Sequence, residues 1–251
     1  MKRRMCSMIL TGILVLALSA CGGDSGSKKE QNGEQGQNQE QNQGDKTEQS
    51  DSQTAQVADE LIVLTGSDAS TFDPHFCTDS ATEIFNKNIF STTWCVFNEE
   101  MEIEPDLAKE WSVSEDQLTW TFKLEEGVKF HDGTDFNAEA VKTSFERVLD
   151  ESLGSPRRSV LAAITKIEAV DEYTVNISTD VPCGALLQQL CHPVAAVISP
   201  KSLEDYGEDI STHPVGTGAF KFVEWKTGEE LVLERNTDYF KGAPAVEKVY
   251  F

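Results

Sequence analysis

The chain has 251 residues, 39% of them hydrophobic, and a formal charge of −22 from 43 acidic against 21 basic side chains. So acidic a chain, with no basic patch, disfavours nucleic acid and anionic lipid headgroups as electrostatic partners. Composition divides the chain into three zones. Only the last, from about Glu60, holds the four tryptophans and enough apolar residues for one sizeable core or two small ones.

Residues 1–20 read as a leader. Lys2, Arg3 and Arg4 form a basic start, and the apolar run Met8 to Leu18 is about half the length needed to cross a bilayer. It ends in Leu18-Ser19-Ala20-Cys21, the pattern of a bacterial lipobox, in which cleavage before the cysteine leaves Cys21 to carry a lipid. Ordinary secretory cleavage beside an incidental cysteine is the alternative. The order of basic start, apolar core, small residues and cysteine favours the lipid. Residues 22–58 are Gly, Gln, Asn, Glu, Asp, Ser and Lys in the main, without an aromatic side chain. Such a segment buries too little apolar surface to offset chain entropy and is expected to be a disordered tether with a reach of about 35 Å.

The globular zone opens on Leu61-Ile-Val-Leu64, a short buried strand, followed by a turn at Asp73-Pro74. Ile84, Phe85 and Ile89 recur at helical spacing between Thr82 and Ile89. Pro105 to Trp111 is expected to form a short turn or helix. Leu118, Trp120, Phe122 and Leu124 alternate with polar residues as a half-buried strand, and Val128 and Phe130 begin another that Asp132-Gly133 closes. Together Thr119 to Phe130 should form hairpin arms. Asn137 caps a helix that uses Ala138, Val141, Phe145, Val148 and Leu149 and breaks at Gly154-Ser155-Pro156. Ile164–Val170 and Tyr173–Ile177 flank the hairpin signal Asp171-Glu172. A helix is expected from Pro182 through Leu190, then a buried strand over Val194–Ile198. Phe220 to Trp225 alternates, Lys226 to Glu229 turns the chain, and Leu231–Leu233 returns it. Val246 to Phe251 is a final apolar strand.

No motif marks an enzyme. Gly216-Thr-Gly218 is followed by a strand rather than a helix, so it reads as a tight backbone turn and not a phosphate cradle. His131 and Asp132 are adjacent and would point to opposite faces. His75, His192 and His213 have no ligand spacing, so no metal site is expected, nor any cofactor. There is no G-x-S-x-G elbow, and the carboxylates show no paired arrangement. Trp111 and Trp120 read as core, and Trp94 as a possible site residue. Of six cysteines, Cys6 leaves with the leader and Cys21 is the lipid site. Cys183 and Cys191, eight residues apart on one expected helix, would sit ~12 Å apart by helical rise, too far to bridge. Cys77 with Cys95 is the better pairing, against a default of buried thiols.

Two runs carry a resemblance: Trp111 through the Thr119–Gly133 block, and His213 to Pro244 with Pro214-Val-Gly-Thr-Gly218, Asn236, Tyr239, Gly242 and Pro244. With Asp73-Pro74 and Leu107-Ala-Lys-Glu-Trp111, they resemble the family 5 extracellular solute-binding proteins of ABC importers. The resemblance departs at Gln117, where the family has Gly, and at Ser91-Thr-Thr-Trp-Cys95.

The resemblance implies an α/β, type II periplasmic-binding-protein-like lobe with a mixed sheet and an inserted α+β subdomain. Residues 59–105 and 201–251 would form the main subdomain and 106–200 the insert. The chain would then end at the hinge to a second lobe that it lacks, and residues 60–251 alone would bind ligand weakly or not at all. The implied function is capture of peptides outside the membrane and delivery to a permease by a lipid-anchored monomer that is not an enzyme. The loop Phe72 to Thr78 matches a cleft-lining segment of the nickel-binding member, making Phe72, Phe76, Cys77 and Thr78 candidate ligand contacts beside Trp94. That member's arginine has no counterpart in Val194–Ile198, which favours oligopeptide over nickel. A peptide-sensing co-receptor and an exported hydrolase are the competing readings.

Overall fold

The computed structural model describes residues 59–90 and 94–251. The leader, Cys21, the tether over 22–58 and Ser91 to Thr93 lie outside the described residues.

Two four-stranded sheets carry the fold. The first has the order β1-β10-β9-β8, from β1 (Glu60–Ile62), β8 (Phe220–Lys226), β9 (Glu230–Arg235) and β10 (Lys248–Tyr250). Here β1 runs parallel to β10 while β10–β9 and β9–β8 are antiparallel, which makes the sheet mixed. The second is wholly antiparallel in the order β4-β5-β7-β6, from β4 (Ala108–Val113), β5 (Thr119–Leu124), β6 (Ile164–Asp171) and β7 (Thr174–Thr179). A small pair, β2 (Cys95–Phe97) with β3 (Ile103–Pro105), leads into it.

Each sheet has its own core. Phe72, Phe85, Ile89, Phe90, Leu231, Leu233 and Val249 close the first, with α1 (Ser80–Phe90) laid against it. Phe122, Leu124, Phe145, Val148, Val175 and Ile177 centre the second, under α2 (Ala138–Leu149). Asn137 caps α2 as its sequence suggests, its Oδ1 accepting from the Ala140 N–H at 3.0 Å. After β9 the chain crosses to the second core, where Phe240 packs, and Lys241 reaches the buried Asp106 at 2.5 Å. Burial pushes the Asp106 carboxyl up, and the hydrogen bond from Lys241 opposes it.

Several expected elements differ. Pro105 to Trp111 is neither turn nor helix. It ends β3 and enters β4, because pairing of Trp111 with Phe122 and Glu110 with Lys123 overrides the helix-forming Leu-Ala-Lys-Glu. The partners of β5 are therefore β4 and β7, not Val128–Phe130. Val128 and Phe130 are buried, but the segment makes only the bridge Lys129↔Asp135 and folds on itself through Phe130 N–H to Thr134 O at 2.9 Å. The helix expected from Pro182 begins later, as α3 (Leu186–Leu190), so Cys183 precedes it. Val194–Ile198 is buried yet forms no strand. A 3₁₀ turn over Pro193–Ala195 takes in its first two residues, and side chains supply partners beyond it: the Ser144 hydroxyl accepts from Ile198 N–H at 3.0 Å, and His75 bonds the Ala196 carbonyl. The last helix, α4 (Pro200–Tyr206), follows directly.

Gly216 and Gly218 act through close approach rather than a special dihedral. A Cβ on Gly216 would sit 2.5 Å from the Ile89 carbonyl oxygen, and one on Gly218 2.6 Å from the same atom. The strand entry instead satisfies the C-terminal carbonyls of α1, with Gly218 N–H to Ile89 O at 2.9 Å and the Thr217 hydroxyl to Phe90 O at 3.3 Å. Gly218→Ala should therefore cost about 2–3 kcal/mol in urea unfolding, since backbone must shift. Gly184→Ala, with open space around its Cβ, should change stability little. The β4–β5 turn keeps a left-handed residue although Gly is replaced, with Gln117 at φ 60°. Gln117→Gly should stabilise by about 0.5–1 kcal/mol, strain relief exceeding the added chain entropy. A lower unfolding midpoint for that variant would contradict this.

Candidate functional site

The parallel strands β1 and β10 both end on the same edge of the mixed sheet, and ligands of open α/β sheets sit beyond the carboxyl ends of such strands. A depression of about 270 Å³ lies there, between the loop Val63–Asp68 and the β8–β9 turn. Its apolar side is Phe85, Leu231 and Phe251, with the Phe85 and Phe251 rings edge-on at 5.0 Å. Its polar side combines the main chain of this loop with Thr65, Ser67, Asp68, Glu229 and Glu230. Among the described residues, no main-chain acceptor is present for the N–H groups of Leu64 through Asp68, and Leu64 is 94% exposed.

Asp68 clasps this loop to the turn. Its carboxylate accepts from Trp225 Nε1 at 2.8 Å, from Gly228 N–H at 2.6 Å and from Ala69 N–H at 2.8 Å. Burial would raise its pKa, but these bonds, that from Trp225 first, hold it below the usual range. The loop thus stays an anion-anchored strip of main chain over an apolar floor. No local pattern in the sequence singles out Asp68. Its role comes from a turn 160 residues further on.

A second, larger depression of about 690 Å³ borders Asp73, Phe76, Arg147, Asp150 and Glu208. Below it, Arg147 pairs with Asp73 through Nη1–Oδ1 at 3.1 Å and Nη2–Oδ2 at 2.6 Å, and also meets His75 Nδ1 at 2.7 Å. Arginine can only donate, so Nδ1 accepts, and the proton sits on Nε2, which faces the Ala196 carbonyl at 3.3 Å. This is a neutral, structural histidine.

Of the candidate ligand contacts, the structure exposes Thr78, leaves Phe76 half-buried at the rim of the larger depression, and encloses the other three. Phe72 is wholly buried against Phe222 and Trp225. Trp94 packs edge-on to Phe122 at 4.8 Å within the second core. Cys77 is buried, and burial pushes its thiol up to about 11. These three are packing residues, because an aromatic or thiol in sequence does not reveal whether its neighbour is solvent or sheet. No group of His, Cys, Asp and Glu among the described residues could hold a metal ion. His131 bonds the Gly218 carbonyl at 2.9 Å while Asp132 turns to Ser199 at 2.5 Å, so the adjacent pair does not cooperate.

Mixed sheet, antiparallel companion and edge site together define a type II periplasmic-binding-protein-like lobe. The ABC transporter-associated periplasmic binding protein DppA of Helicobacter pylori, solved with the peptide STSA, superposes with a TM-score of 0.69 at 31% identity, over 76% of this chain and 42% of that one. NikZ of Campylobacter jejuni, solved with Ni(L-His), gives 0.69 at 26% identity, over 77% and 39%. Residues 102–251 match the bacterial extracellular solute-binding proteins, family 5 Middle, and the chain belongs to that family. Among curated relatives, the glutathione-binding protein GsiB of Escherichia coli O1:K1 is 37% identical over 196 residues. That match covers 78% of this chain and 38% of the length of GsiB. No helix among the described residues is long and apolar enough to cross a membrane.

Burial holds His75 and His131 each at about 4, so both are neutral in the folded protein. For His75 the Asp73 carboxylate opposes this shift and the Arg147 guanidinium adds to it. The unfolded chain takes up those protons near pH ~6.5 and so binds more of them between the two values. Stability is then full above about pH 6.5 and falls as pH drops towards 4. Urea unfolding across this window should show the loss, and His75→Gln should flatten it by roughly half.

Proposed function

We propose that this chain is the solute-capturing part of a lipid-anchored ABC import protein that takes up short peptides and hands them to a permease. The supporting observation is the strip of main-chain N–H groups, Leu64 to Asp68, lying over an apolar floor at the carboxyl edge of β1 and β10. Backbone donors pair with peptide main chain whatever its side chains, and an apolar wall tolerates those side chains. The small volume of the depression suits one or two residues of a peptide rather than a long segment. The cargoes named for the relatives, glutathione and the peptide STSA, are of the same chemical kind.

On this reading residues 59–105 and 201–251 form the main subdomain and 106–200 the insert. Cys21 carries the lipid, and 22–58 tether the body at the outer face of the membrane. The solute-facing candidates become the loop Leu64–Asp68 and Phe251, with Phe76 and Thr78 as outer contacts. The chain spans 38% of the length of the GsiB it matches, and in two-lobed binders closure over a solute is shared between the lobes.

Calorimetry on the full-length gene product should give heat with a pool of di- to pentapeptides. Asp68→Ala, which releases the loop, should weaken that binding about tenfold, the worth of a charged hydrogen bond. Silence towards peptides with clear heat from a nickel–histidine chelate would overturn the cargo. Turnover of any peptide would overturn the binding-protein reading itself.

A further inference from the structure

Four cysteines fall among the described residues, and two that are distant in sequence are brought together. Cys95 opens β2 and is fully buried, while Cys191 closes α3 and is partly exposed. Their sulfurs stand 3.0 Å apart, with a sequence separation of 96 residues. That distance is about 1 Å longer than a disulfide bond. The neighbouring contact of Cys95 Sγ with the Leu187 carbonyl, 3.5 Å, holds the same sulfur against the short helix α3. The pairing that the sequence offers as the alternative to buried thiols, Cys77 with Cys95, does not form this contact. Cys77 instead bonds the Asp79 carbonyl at 3.5 Å.

We propose that Cys95 and Cys191 are a disulfide-forming pair that staples β2 to the end of α3. Cys191 is the more accessible sulfur, and the hydrogen bond from Cys95 lowers its pKa while raising that of Cys95. Cys191 is therefore the attacking thiolate. With oxidised glutathione as oxidant, the Cys191 thiolate displaces one glutathione thiolate and forms a mixed disulfide. The Cys95 sulfur, giving up its proton to solvent, then displaces the second glutathione. One S–S bond is broken and one formed, the two protein thiols are oxidised, and two glutathione molecules leave reduced. That the bond forms in the cell rests on the extracellular reading of the chain. The exchange itself does not, so the two fail separately.

The test is redox titration of the purified full chain in glutathione buffers, followed by non-reducing trypsin digestion and mass spectrometry. Trypsin places Cys95 in residues 88–109 and Cys191 in residues 167–201, the latter shared with Cys183. The expected product joins these two peptides and is lighter than their sum by two hydrogens. It should persist in Cys183→Ser and Cys77→Ser and vanish in Cys191→Ser. The thermal midpoint should rise by roughly 10 °C on oxidation, as a crosslink closing so long a loop implies, and fall again with dithiothreitol. Glutathione adducts without an internal bond, a bond to Cys77 or Cys183, or an unchanged midpoint in the bonded form would each overturn the proposal.

Discussion

The most deeply buried ion pair among the described residues joins the two halves of this fold. Arg147, on the last turn of α2, grips Asp73 with two hydrogen bonds and braces His75 with the same guanidinium. The pair is largely buried, with side chains 16% and 5% exposed. Removing either partner would leave a charge without compensation, a far larger cost than the pair's own net worth. From it, bonds spread outward: His75 to the Ala196 carbonyl, and Ser155 to the His75 carbonyl at 2.6 Å. Three segments far apart in sequence therefore meet at one charged centre between the two cores.

That centre determines where the candidate site can be. The loop between β1 and α1 is fixed at its far end by Asp73 and at its middle by the packing of Phe72 against Phe222 and Trp225. Its near end is fixed by Asp68, which reaches the β8–β9 turn. Between Asp68 and β1 no comparable bond among the described residues holds the main chain, and the N–H groups there have no main-chain acceptor. A solute site of this kind needs rigid flanks and a short unpaired stretch, since preorganised donors lose little entropy when a ligand pairs with them. The contact of Gly216 and Gly218 with α1 serves the same end. It lets β8 run directly beneath the helix that supplies Phe85 to the floor.

Much of the scaffold is legible in sequence because its signals are local. The alternation in Leu118–Leu124, the two-residue break at Asp171-Glu172, the Asn137 cap and the return at Lys226–Glu229 each specify their element within a few residues. The misreadings share a physical cause. Val194–Ile198 has the apolar content of a buried strand, yet its hydrogen bonds go to the side chains of Ser144 and His75. Leu107–Trp111 has helix formers but a waiting β5. In both, a partner distant in sequence decides the backbone, and no local pattern carries that information. The site is less legible still. Trp94 suggests a ligand contact by being large and aromatic, the same property that places it in a core, and the family likeness of the Phe72–Thr78 loop does not tell which of its side chains turn inward.

The charge of the chain fits this division of labour. With 43 acidic against 21 basic side chains, the chain has little electrostatic pull on anions, so an anionic cargo would have to be held by local donors rather than drawn in by field. At the carboxyl edge those local donors are main-chain N–H groups, while the side chains that reach it from the β8–β9 turn are Glu229 and Glu230. Glu230 is already paired with Lys226 at 2.7 Å. The edge therefore combines acceptance of a carbonyl or carboxylate by backbone with an acidic rim. A zwitterionic chain with alternating donors and acceptors satisfies both at once, whereas a bare metal ion meets only the rim.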